Sequence, residues 1–92
     1  MIDPYIWDRK LPSAEYQLEF SFAKQLMAGE VVTNVDIIST GANVIVDQIV
    51  PYTDHVKFWV RGGEKGRVAT LEIIAVTSFN EILSVETKMA IG

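Results

Sequence analysis

Glu15-Tyr16-Gln17-Leu18-Glu19-Phe20-Ser21-Phe22 decides the fold class. Every even position is apolar and every odd one polar, the period of two that sets Tyr16, Leu18, Phe20 and Phe22 on one face of a strand and turns the rest to water. Downstream the pattern stays extended. Ala23 to Ala28 is a short helix-like stretch, but Gly29 ends it before an amphipathic face develops, so a loop is expected there. Val31 to Thr40 is β-branched almost throughout. Gly41-Ala42-Asn43 then makes a turn into a second such run, Val44 to Val50, which Pro51 stops. After the turn Tyr52-Thr53-Asp54, alternation returns in His55 to Arg61, with Val56, Phe58 and Val60 expected to face a core.

Gly62-Gly63-Glu64-Lys65-Gly66 is a glycine-rich tight connection, with Gly62, Gly63 and Gly66 expected to be structural turn residues. Arg67 to Val76 resumes as a long strand and Thr77-Ser78-Phe79-Asn80 turns the chain. Ile82 to Ile91 closes it, with Leu83, Val85, Thr87, Met89 and Ile91 on one face. Short strands at regular spacing, about seven in all, argue for an all-β antiparallel sandwich.

Upstream of Glu15 the period vanishes. Residues 1–14 combine Pro4 and Pro12 with Tyr5, Ile6, Trp7 and Leu11 in no regular spacing, which reads as an extended N-terminal arm ahead of a domain over 15–92. Bulky apolar side chains on a segment without its own secondary structure need another surface. Tyr5, Ile6, Trp7 and Leu11 are therefore expected to contact partners in an assembly, and removal of the arm to leave the sandwich folded. If Val56, Phe58 and Val60 face inward, Trp59 faces outward. Trp59 with its neighbour Arg61 is then a second candidate interface, unless the arm covers it.

Composition narrows the function classes. The 92 residues are 49% hydrophobic and 22% charged, more apolar than a disordered segment. Eight basic residues against twelve acidic ones give a formal charge of −4, and the basic residues are scattered among acids, so a nucleic-acid partner is not expected. No run of about eighteen apolar residues offers a membrane helix. The start, with Asp3, Pro4 and Asp8, lacks the pattern of a signal peptide, so synthesis in the cytoplasm without processing is expected.

Reactive constellations are missing from the sequence. There is no cysteine, and the single histidine, His55, has no motif linking it to a nucleophile, so neither an enzyme nor a cofactor is expected. One histidine without cysteine does not make a zinc site, and Asp36, Asp47 and Asp54 are too spread for calcium. The loop Arg61 to Arg67 lacks the spacing of a phosphate-binding Walker loop. Glu15 and Glu19 read as solvated charges on the polar side of their strand.

Val56-Lys57-Phe58-Trp59-Val60-Arg61-Gly62-Gly63-Glu64-Lys65-Gly66-Arg67-Val68 resembles a segment of the tailed-phage fibre-tail adaptor family: a strand with Trp, then Gly-Gly, then x-x-Gly. The long strand, turn, Glu81 and last alternating strand continue the likeness, and Ala28-Gly29-Glu30-Val31-Val32 extends it upstream, so that it covers about residues 15 to 91. Phe79-Asn80 stands where that family usually has Gly-Arg, and the Trp common in its second strand is absent. The resemblance implies an immunoglobulin-like sandwich without catalytic residues, a structural component of the virion tail in several copies, contacting tail and fibre proteins. The fold alone also admits a head-tail connector, a capsid decoration protein, or a carbohydrate-binding module that stacks a sugar on Trp59 and Tyr52.

Overall fold

The structure, a computed structural model, describes residues 5–92. Seven strands follow in chain order: β1 (Tyr5–Ile6), β2 (Tyr16–Ser21), β3 (Val32–Thr40), β4 (Val44–Pro51), β5 (His55–Gly62), β6 (Val68–Thr77) and β7 (Ile82–Ala90), with no helix among the described residues. They form two sheets, ordered β1-β7-β6-β3 and β2-β5-β4. Neighbours are antiparallel except for β1, which runs parallel to β7.

Alternation builds the core. Val35 and Ile37 of β3, the series Ala69, Leu71, Ile73 and Ala75 of β6, and Val85 and Met89 of β7 are buried in one cluster with Phe20, Phe22, Val44, Val56, Phe58 and Val60. The inward set of β5 is the one its alternation specifies, and each member is fully buried. Thr87 lies in the same inward row of β7 and satisfies its hydroxyl by donating to the Leu71 carbonyl at 2.8 Å, which removes the cost of burying it. Residues 23–31 form a loop of turns.

Two details differ from simple alternation. β2 is buried only toward its C-terminal end: Phe20 and Phe22 are in the core, Leu18 is half-buried and Tyr16 is 38% exposed. The cause is position, because β2 is the last strand of its sheet and its first residues face a groove rather than packed side chains. The ladders also shift register between Val32 and Asn34 and between Asp47 and Val50. Such bulges insert a residue without disturbing the apolar count, so periodicity does not reveal them.

A candidate protein-binding surface

The aperiodic N-terminal segment lies on the domain's own edge. Tyr5 and Ile6 pair with Thr87 and Lys88, the Trp7 N–H donates to the Lys88 carbonyl at 2.8 Å, and the Lys10 N–H to the Ala90 carbonyl at 2.9 Å. Gly92 returns a bond from its N–H to the Lys10 carbonyl. Trp7 is half-buried against the core, its ring edge-on to Phe58 at 6.0 Å, Phe20 at 6.4 Å and Tyr5 at 4.7 Å. Its indole Nε1 is buried without an acceptor among the described residues. Tyr5, Ile6 and Leu11 stay exposed, Ile6 at 77%. The segment thus finds cover for one of its four bulky apolar side chains within the chain and presents the other three outward. Residues 1–4 of the arm lie outside the described residues.

Lys10 fastens this segment across the sandwich. Its backbone bridges to Ile91 beside β7, while its buried ammonium donates to the Gly62 carbonyl at the end of β5 at 2.6 Å and to the Leu11 carbonyl at 2.8 Å. Burial pushes the Lys10 ammonium below the ordinary lysine range, partly opposed by the charge of Glu15. The carbonyl of Gly62 is available there because Gly62 and Gly63 both take positive φ, +71° and +115°, a conformation glycine adopts without a Cβ penalty. Gly66 completes the turn at φ +83°.

Trp59 lies half-buried on the outer face of the three-stranded sheet, flanked in register by Gln17 of β2 and Asp47 of β4. Arg61 spans the same face, donating from Nη1 to Glu15 at 3.3 Å and from Nη2 to Asp47 at 3.1 Å. Arg61 therefore holds the two edge strands beside Trp59. Tyr52 does not join Trp59 in a sugar-stacking platform. Its ring is stacked on His55 at 4.6 Å with planes 8° apart, and His55 precedes Trp59 by four residues of strand, about 13 Å.

A further apolar surface escapes sequence reasoning. The loop before β3 and the β6–β7 turn meet at one end of the sandwich, where the Ser78 N–H donates to the Val31 carbonyl and the Val31 N–H to Ser78 Oγ. Beneath them the buried Glu30 carboxylate accepts from Thr77 Oγ1 at 2.5 Å and from the Met27 N–H at 2.9 Å. These two hydrogen bonds hold the Glu30 carboxyl below the usual glutamate range, against the opposing effect of burial. The clamp presents Met27, Val31, Phe79 and Ile82 to solvent, Ile82 at 70%. A phenylalanine inside the polar turn Thr77-Ser78-Phe79-Asn80 was the available signal.

No group of three or more His, Cys, Asp or Glu side chains gathers in metal-binding geometry among the described residues. What the domain offers is a small two-sheet scaffold with apolar side chains displayed at its arm, edges and one end. The chain belongs to the family described as podophage GP4 fiber-tail adaptor protein gp77, which matches residues 10–89. No curated protein matches it.

Proposed function

We propose that this protein is a non-enzymatic structural component of a podophage tail, present in several copies, that joins fibres to the tail through protein–protein contacts. The family match over residues 10–89 carries the reading. The exposed Tyr5, Ile6 and Leu11 of the arm and the apolar cluster around Phe79 and Ile82 support it as separate contact surfaces, because an adaptor needs at least two. An immunoglobulin-like assignment is supported by strand order: β2-β5-β4 opposite β7-β6-β3 follows the B-E-D and G-F-C orders of that sandwich, with β1 moved beside β7.

Particles produced without this chain test the proposal. Filled heads with tails but without fibres, by electron microscopy, are the expected result, and purified protein should restore the fibres. Fibres present on particles lacking the chain would reject an adaptor role. A purified chain that decorates heads instead would identify a capsid decoration protein.

A further inference from the structure

The sandwich guards its strand edges unequally. On β3, the N–H groups of Val35 and Ile37 are taken by the side chains of the residues before them, Asn34 Oδ1 at 3.0 Å and Asp36 Oδ1 at 2.9 Å. An edge so capped has no donors left at those positions for an incoming strand. On β4, the register breaks between Asp47 and Val50, Gln48 sits at φ +51° and Pro51 ends the strand. Bulges and proline are devices that stop strand addition.

β2 carries neither device. Its register with β5 runs unbroken from Tyr16 to Ser21, and its outer edge meets no backbone partner among the described residues. Antiparallel pairing on one side directs alternate N–H and C=O groups to the open side. Beside that edge, between β2 and the arm, lies a groove of about 360 Å³ whose walls combine Trp7, Tyr16, Leu18 and Met89 with the polar Asp8, Arg9 and Gln17. The inner face of β2 is thus incomplete where its backbone is open.

We propose that β2 is completed by an extended strand of a different protein, with apolar side chains entering this groove and basic side chains alternating with them. The inference rests on the adaptor reading above and identifies how one of its partners is held. The basic requirement comes from charge: Glu19 stands on the outer face of β2 opposite Lys57, 54% exposed and 3.9 Å from His55 Nε2, and Glu15, just before β2, stays 56% exposed although it already accepts from Arg61. Opposite charges across a strand pair attract while like charges repel. The same charges reject a second copy. Antiparallel self-pairing centred on Gln17 sets Glu15 directly against Glu19, and centring on Leu18 leaves the two Glu19 carboxylates diagonal neighbours.

Overlapping fifteen-residue peptides spanning the tail and fibre proteins of the same particle provide the probe, titrated against the full chain by NMR. A binding peptide should alternate apolar and basic residues, protect alternate amides of residues 16–21 from hydrogen exchange, and weaken with added salt. Reversal of the Glu19 charge, E19K, which leaves the Arg61–Glu15 pair intact, should weaken it about threefold, the size expected for one cross-strand charge pair. The β3 control D36K should leave affinity unchanged. Peptides that bind but protect β3 or β4, acidic peptides bound as tightly as basic ones, β2 protection by self-association, or no β2 protection by any peptide would each overturn the inference. Fibreless particles in the deletion test would still uphold the adaptor role, so the two failures are distinguishable.

Discussion

Replacing Trp7 with alanine tests whether the N-terminal segment is part of the folded domain. Truncating a fully buried Trp costs about 3–5 kcal/mol. Trp7 is half-buried, so roughly half of that range applies, or about 2 kcal/mol. Release of its orphaned Nε1 offsets some of this, since an unsatisfied buried donor costs on the order of 1 kcal/mol. The net loss is about 1 kcal/mol, and in a domain this small each kcal/mol moves the melting temperature by roughly 4–8 °C. Thermal denaturation followed by circular dichroism should therefore show W7A melting about 4–8 °C below the parent. W7F keeps an aromatic ring against Phe20 and Phe58 and discards the orphaned donor, so its loss should be clearly smaller. Deleting residues 1–12 removes the Lys10 bonds as well and should cost more than W7A. If W7A and the truncated chain both overlay the parent curve, the segment is not docked in solution. The arm then belongs to assembly alone.

Two other perturbations have definite outcomes. An added Cβ at Gly63 would sit 3.1 Å from Ile91 Cδ1 and 3.2 Å from Val44 Cγ2, whereas at Gly62 it meets nothing closer than the Asn43 carbonyl at 3.7 Å. G63A should therefore destabilise by about 2–3 kcal/mol and G62A by about 1 kcal/mol, and equal urea midpoints would contradict that ranking. Because Glu30 titrates lower in the folded state than its ordinary value of 4.5, its contribution is fully present above that value and is lost as pH falls through the folded one. Urea midpoints of the parent and E30Q should differ at pH 7 and converge under acid, and a gap constant from pH 7 to pH 3 would exclude the carboxylate as its source.

Strand placement was largely legible because a half-buried strand writes its burial into the chain every second residue. β5 and β7 are the clearest cases: Val56, Phe58 and Val60, and Val85, Thr87 and Met89, occupy the buried positions their alternation specifies. β2 shows the limit of that rule. Alternation states which face Tyr16 and Leu18 occupy, but not whether anything stands opposite, and at the start of an edge strand only a groove does.

Lys10 and Glu30 were invisible for a related reason. A lysine after aspartate and arginine, and a glutamate after glycine, read as surface charges, since unpaired charges are seldom buried. Each is buried because its partner arrives from far along the chain: Gly62, 52 residues beyond Lys10, and Thr77, 47 residues beyond Glu30. Periodicity reports a residue's face, and neither contact is a matter of face. Both charges sit where separate segments must be locked at an end of the sandwich, Lys10 joining the arm to the β5–β6 turn and Glu30 joining the loop before β3 to the end of β6. Directional hydrogen bonds do there what packing alone cannot, because irregular backbone offers no ladder to fix its position. The segments so fixed are the ones that carry Ile6, Leu11, Met27 and Phe79 to the surface. The polar residues least legible in the sequence therefore hold the apolar surfaces through which an adaptor would act.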